Sequence, residues 1–245
     1  MTYTAEQFLK KIKPYVLEDM RRSGILASLT ASQAKIESGS GTSGLTKKAN
    51  NFFGIRGIYN GQFVEMMTSE WRNGKYERVL AKFKKYPSFA ESLADHSGMF
   101  NRMKRYKNLR DCRQWQRAVK NVKADEYATE PNYVDILKKC IQTYKLYEWD
   151  AEALGLDPSE ICPYMEPLDR SVRFGTTGED ARWLQWMLNH VAGHPEVEAD
   201  GIAGKTTISA LMEYQKMQNV KFDGIAGPIT IGLLSDQYEK KLHIG

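Results

Sequence analysis

A chain of 245 residues with 42% apolar and 27% charged residues is long enough for two globular domains and too apolar to be disordered. No apolar run approaches the roughly 18–20 residues of a membrane-spanning helix. The three cysteines, Cys112, Cys140 and Cys162, are odd in number and far apart, which argues against a disulfide framework or a cysteine-based zinc site. The net charge of +5 is unevenly spread. Residues 1–150 carry 27 Lys and Arg against 16 Asp and Glu, residues 151–168 carry four acidic residues and no basic one, and residues 169–245 carry 8 against 10. A first domain at +11 favours an anionic partner, whether nucleic acid, anionic membrane or an anionic wall polymer.

In chain order, Thr4-x-x-Gln7 reads as a capping box, and Phe8, Leu9, Ile12, Tyr15, Val16 and Met20 follow at helical spacing. A second helix is predicted from about Ile25, with Leu26, Leu29 and Ala34 near one face, ending at Gly39 among glycine breakers. Residues 62–71 and 76–83, rich in Phe, Val, Met, Trp and Tyr, flank Asn73-Gly74 and predict a β-hairpin. Ser88-x-x-Glu91 opens a helix striped with Phe89, Leu93, His96, Phe100 and Met103. Asp111-x-x-Gln114 is read as opening the next, and Pro131 as the first turn of a last long one bearing Tyr133, Leu137, Cys140 and Tyr144. The acidic, proline-containing stretch 151–168 reads as a linker. Beyond it, Asp200-Gly201-Ile202-Ala203-Gly204 recurs as Asp223-Gly224-Ile225-Ala226-Gly227, each copy followed by Thr and an apolar run. With a helix over 179–191, this repeat predicts a small three-helix domain. The expected divisions are thus 1–150, a linker 151–168, and 169–245.

Two carboxylates stand out. Glu37 sits at the predicted C-terminal end of an apolar helix, where the helix dipole and an apolar setting raise its pKa as a general acid requires. The glycines beyond it, Gly39, Gly41 and Gly44, leave room for a bulky ligand. Glu70, on the first hairpin strand, is the second, since glycoside hydrolysis commonly uses a pair; Glu65 on the same strand competes for that role. Tyr127 and Tyr133 lead into the last helix, where a phenol can bond to a sugar or orient water. His190 and His194 are four apart, but Gly193 and Pro195 break any helix between them, so no metal site is expected. The common nucleotide, serine-hydrolase and zincin motifs are absent.

The run Ile25–Leu45, with Glu37-Ser38-Gly39-Ser40-Gly41 at its centre, resembles the glucosaminidases of glycoside hydrolase family 73. So do Ala49-Asn50-Asn51-Phe52-Phe53-Gly54-Ile55-Arg56-Gly57, Thr68-Ser69-Glu70-Trp71, Phe83-x-x-Tyr86 and Tyr127-Ala128-Thr129-x-Pro131-x-Tyr133. The resemblance covers roughly residues 4–146. It implies a mainly helical, lysozyme-like α+β domain with an inserted β-hairpin, cleaving the peptidoglycan glycan after N-acetylglucosamine. It aligns Glu37 with the catalytic acid, Glu70 with a second carboxylate on the hairpin lobe, and Tyr133 with a supporting tyrosine. Asn51, Phe52, Phe53, Gly54 and Tyr127 are aligned with substrate contacts. Ser69 and Trp71 depart mildly from the Thr and Tyr of many members.

The C-terminal part resembles the three-helix peptidoglycan-binding domain through Arg173-x-Gly175-x-x-Gly178, Leu184-Gln185-x-x-Leu188-Asn189 and the repeated turns. The expected molecule is therefore an endo-β-N-acetylglucosaminidase joined to a small all-α wall-binding domain, with peptidoglycan as partner. No cofactor, metal, nucleic acid or membrane insertion is expected. The alternatives are a muramidase or lytic transglycosylase on the same polymer, or a non-enzymatic wall-binding protein. The N-terminus shows no signal peptide, so a phage or prophage lysis protein held in the host cytoplasm until release to the wall is expected.

Overall fold

The computed structural model describes residues 3–72, 74–167 and 170–244, without the side chains of 70–72 and 244. It divides into two compact units, Met1–Gly155 and Leu156–Gly245. The first contains α1 (Ala5–Ser23), α2 (Ala27–Glu37), α3 (Gly44–Ala49), the hairpin β1 (Phe63–Arg72) and β2 (Lys75–Lys84), α4 (Phe89–Arg102), a 3-10 helix (Lys104–Leu109), α5 (Trp115–Ala124), α6 (Tyr133–Thr143) and α7 (Tyr147–Leu154). The second contains a 3-10 turn (Pro158–Glu160), α8 (Glu179–His190), α9 (Lys205–Met217) and α10 (Pro228–Ile244). Among the described residues this is a mainly helical α+β unit with one two-stranded antiparallel sheet, followed by three helices.

Helix α1 begins at the capping box read from sequence: Thr4 Oγ1 accepts from Gln7 N–H while Gln7 Oε1 accepts from Thr4 N–H. Its stripe of Phe8, Ile12, Val16 and Met20 is buried. Three other expectations change. Asp111 does not cap α5; it adopts a left-handed φ of 57°, and the helix starts only at Trp115. Pro131 precedes α6, which starts at Tyr133, and the sequence reading gave no hint of α7. The linker is not a free strap either. Residues 151–154 complete α7, while Ile161, Cys162 and Met165 are buried in the second unit. There Tyr238 Oη accepts from Cys162 N–H at 2.8 Å and donates to Glu160 O at 3.1 Å. The residues Leu168 and Asp169, at the expected boundary, and the turn residue Asn73 lie outside the described residues.

In the second unit the repeat has a chemical basis. Gln185 Nε2 donates to Asp200 Oδ1, Ile202 O and Thr207 Oγ1, and its Oε1 accepts from Gly201 N–H. Gln215 does the same with Asp223, Ile225, Thr230 and Gly224. Each buried glutamine thus satisfies its full amide and fixes one turn onto the helix that follows.

What positions the first unit's chemistry is α2. All residues from Ala27 to Ala34 are buried, and α1, α6 and α7 pack against the helix. Its N-cap residue, Leu26, offers no side-chain acceptor. The acceptor comes instead from α7: Asp150, 1% exposed, takes the Ser28 N–H at 2.8 Å on Oδ1, and its Oδ2 has no partner. A carboxyl there completes the first turn of the helix.

Burial pushes the Asp150 carboxyl up to about 7 from an ordinary value of 3.8, against the pull of its contacts with Ser28 and Ala27. Between those values the folded chain holds a proton that the unfolded chain has released. The group's contribution to stability is therefore full below the lower value and is lost as pH rises through the upper one. Asp150→Asn keeps an acceptor and cannot ionise. Its unfolding temperature is expected to rise relative to wild type as pH goes from 4 to 8. Thermal unfolding of both proteins across that range checks this, and a constant difference would mean that the carboxyl is ionised throughout.

Candidate active site

Glu37 is the last residue of α2, so its side chain stands where the buried helix reaches the surface. The turn beyond is held by Ser38, whose Oγ donates to Ala34 O at 2.5 Å and accepts from Gly41 N–H at 2.8 Å. Gly41 has φ +75°, and a Cβ on it would lie 2.6 Å from the Phe8 ring. That glycine therefore admits core packing rather than a ligand, which corrects the expectation from sequence.

Tyr133, the first residue of α6, donates from its hydroxyl to Glu37 Oε1 at 3.2 Å. The Tyr133 hydroxyl oxygen in turn accepts from Gln33 Nε2 at 3.1 Å. Gln33 lies one turn before Glu37 on α2, so a single helix face supplies both the carboxyl and the group that orients its partner. With Gln33 occupying the phenol oxygen as donor, the phenol proton points to Glu37.

Both side chains line a cavity of about 620 Å³. Phe53 and His96 form one wall, stacked with ring centroids 3.7 Å apart and planes at 10°. Burial pushes the His96 imidazole down to about 3, so the ring is neutral at any working pH. Its Nε2 lies 3.2 Å from Tyr127 Oη, and the Tyr127 ring stacks against Tyr133 at 6.0 Å. Arg56, Arg105 and Glu130 complete the polar lining. Desolvation by these walls raises the Glu37 pKa; the Tyr133 hydrogen bond opposes the rise, and the nearby Glu130 charge adds to it. Glu37 is open to solvent at its surface and crowded at its base. A group that hands a proton to an incoming polymer needs both, and the upward direction follows from the crowding.

The other residues singled out from sequence divide. Phe53 and Tyr127 line the cavity with Glu37 and Tyr133. Asn51 is buried and fully engaged, with Nδ2 donating to Ile55 O and Lys84 O, and Oδ1 accepting from Ile55 N–H. It staples the loop to β2. Phe52 is 1% exposed, edge-on to Phe8 and tilted against Phe89. Gly54 is exposed with φ +64°, and no atom lies within 4 Å of where its Cβ would be. These three shape the loop that carries Phe53. The hairpin register places Glu70 opposite Glu77, in the row that contains Val64, Met66 and Thr68, whereas exposed Glu65 falls in the row of Phe63 and Met67. The side chain of Glu70 lies outside the described residues. Sequence reasoning missed Gln33, His96 and Glu130. Gln33 could have been found from its spacing of four to Glu37; His96 was hidden in an apolar stripe.

Residues 13–146 match the glucosaminidase family, described as mannosyl-glycoprotein endo-beta-N-acetylglucosaminidase. The chain belongs to this glucosaminidase family. Residues 177–234 match the family of peptidoglycan binding domains. Among relatives, the exo-glucosaminidase LytG of Bacillus subtilis is 39% identical over 131 residues, covering 51% of this chain and 46% of that protein. The peptidoglycan hydrolase FlgJ of Escherichia coli is 31% identical over 131 residues, 51% and 42% of the two chains. The chain thus spans less than half the length of these relatives. The catalytic domain of the autolysin Auto from Listeria monocytogenes superposes with a TM-score of 0.56 at 29% identity, covering 61% of this chain and 90% of that domain.

For this glucosaminidase-family chain, the opposed influences on Glu37 give opposite signs in two variants. Glu130→Gln removes a negative charge that disfavours the Glu37 carboxylate, so the alkaline limb of kcat against pH should move to lower pH. Tyr133→Phe removes a hydrogen bond that favours the carboxylate, so that limb should move to higher pH while kcat falls roughly tenfold, the cost of one such bond. Shifts of the same sign in both variants would mean that another group sets the limb.

Proposed function

We propose that this chain is a peptidoglycan hydrolase that cleaves the glycan strand as an endo-β-N-acetylglucosaminidase, with Glu37 as general acid. The observation that carries this reading is the Glu37 carboxyl: biased toward its protonated form, held by Tyr133, and facing a cavity of about 620 Å³ large enough for a sugar. The family match and the separate match to peptidoglycan binding domains support the choice of polymer. In this reading Glu37 Oε2 gives its proton to the glycosidic oxygen as the bond to the anomeric carbon breaks. Tyr133 holds Oε1, Phe53 and Tyr127 form the wall against which the sugar rests, and the second unit holds the chain to its insoluble substrate. Positive charge developing on the sugar is met by Glu70 or by the substrate's own acetamido oxygen.

Glu37→Gln is close in shape but has no proton to give, and the expected result is a loss of about 10²–10⁴-fold in kcat with wall binding kept. Wild-type lysis by a folded Glu37→Gln protein would remove the acid role. Glu70→Gln is expected to lower kcat far more than Glu65→Gln, because the register sets Glu65 in the exposed row. The opposite ranking would assign the second carboxylate to Glu65, and small equal effects would favour the acetamido group. Mass spectrometry of digested peptidoglycan fixes the bond: long fragments with N-acetylglucosamine at the new reducing end are expected. Single sugars released from an end would indicate an exo-enzyme, and N-acetylmuramic acid ends a muramidase.

A further inference from the structure

Glu130 is the second carboxylate residue on the cavity wall, and the acid role uses only Glu37. It stands in a stretch without regular secondary structure between α5 and α6, yet its backbone is fixed at two points. Its carbonyl oxygen accepts from Tyr133 N–H at 3.2 Å and from Lys123 Nζ at 2.7 Å; the same ammonium donates to Ala128 O at 3.0 Å. Lys123 is thus turned to the main chain. Among the described residues the Glu130 carboxylate forms neither a hydrogen bond nor an ion pair, although Arg56 and Arg105 line the same cavity. An ionised carboxylate only accepts, so an unpaired one on a cavity wall must be met by a donor from water or from a ligand. Its charge is felt at both the Glu37 carboxyl and the Tyr133 hydroxyl. In the reading above it therefore stands beside the glycosidic oxygen that Glu37 protonates. Of the groups that flank that bond in the substrate, one is a donor. On the glucosamine side the ring carbon next to the anomeric carbon bears the acetamido N–H, and the ring oxygen opposite only accepts. On the leaving side, the nearest substituent of N-acetylmuramic acid is a lactyl ether, which has no proton to give.

We propose that Glu130 accepts the acetamido N–H of the N-acetylglucosamine whose bond is cut, and so determines specificity for the N-acetylated sugar. This contact rests on the glucosaminidase reading above. Ile36 and Ile136, also on the cavity wall, offer apolar surface to the acetamido methyl. The N–H and C=O of a secondary amide point in opposite directions. Anchoring the N–H on Glu130 therefore also fixes where the acetamido oxygen lies relative to the anomeric carbon. Recognition of the N-acetyl group and orientation of its oxygen become one act.

The test uses the full chain and two synthetic tetrasaccharides of alternating N-acetylglucosamine and N-acetylmuramic acid. One is native; the other is N-methylated on the acetamido group of the glucosamine whose bond is cut, which removes the donor and keeps the carbonyl. The ratio kcat/KM is measured below the alkaline limb of every variant, so that a shift in the Glu37 pKa does not enter. Methylation is expected to cost wild type about 10–100-fold more than it costs Glu130→Ala, the coupling of a hydrogen bond to a charged group. Glu130→Gln, whose amide oxygen is a neutral acceptor, should fall between the two. An equal cost of methylation in all three proteins would overturn the proposal and leave Glu130 acting on Glu37 through its charge alone. Affinities of both sugars for Glu37→Gln and for Glu37→Gln/Glu130→Ala separate this contact from the hydrolase reading. The same coupling in affinity, with no cleavage by wild type, would sink that reading and keep the contact. Cleavage of the native sugar by wild type without coupling would sink the contact alone.

Discussion

Helix α2 has almost no solvent face, and the chemistry of the first unit follows from that constraint. Ala27, Ala31 and Ala34 with Ser28, Thr30 and Ser32 keep its cylinder narrow, so α1, α6 and α7 can close on it. Only its last turn emerges, and that turn ends in Glu37. The arrangement has a cost. Thr30 Oγ1 and Gln33 Oε1 are buried without partners, and each such atom costs on the order of 1–3 kcal/mol. A helix gripped on three sides and capped by Asp150 from α7 is hard to shift along its axis. The acid role proposed for Glu37 would need such rigidity, because a reacting group must be held in near-attack geometry.

Around that carboxyl, position and acidity pull against each other. The Tyr133 hydrogen bond that aims Glu37 also favours its ionised form, while desolvation and the Glu130 charge favour the protonated form. Burial keeps Tyr133 a phenol, so it donates and does not compete for the proton. His96 matters by staying neutral. A cationic imidazole on the cavity wall would draw the Glu37 pKa down, and complete burial against Phe53 and Phe100 prevents it. The aromatic stack thus acts on the acid electrostatically as well as sterically.

The legible parts of the sequence were those with one buried face. Helices α1 and α4 and the hairpin alternate apolar and polar residues at their own periods, so pattern and packing agree. Helix α2 is buried all round with small and polar residues, so its boundaries could be approached only through the glycines beyond it. Helix α7 escaped because its acidic content resembles the stretch that follows; Trp149, Asp150 and Ala151 are buried all the same. Between α4 and α5 the chain follows a 3-10 period and then a left-handed turn at Asp111, neither of which a capping pattern anticipates. At the cavity, the aligned motif falls on one loop whose members do different structural work. Asn51 and Phe52 build the loop, and Phe53 alone of the three reaches the cavity. A motif conveys position in the chain; which member faces the ligand depends on hydrogen bonds made tens of residues away.

The same distinction applies to the second unit. Its five-residue repeat looks at first like a duplicated binding signature, but most of the repeated groups are already committed. Asp200 and Asp223 each accept from the N–H two residues on and from a glutamine; Gly201 and Gly224 have φ of 84° and 70° and donate to that glutamine; Thr207 and Thr230, both seven residues after their Asp, take its remaining contact. Two turns built alike explain the identity without any ligand. Phe174, Met217, Phe222 and Ile229, exposed on this unit, lie outside the repeated motif. Where two copies share a framework, the residues free to diverge are those the framework does not use, and these differ in kind between the two turns.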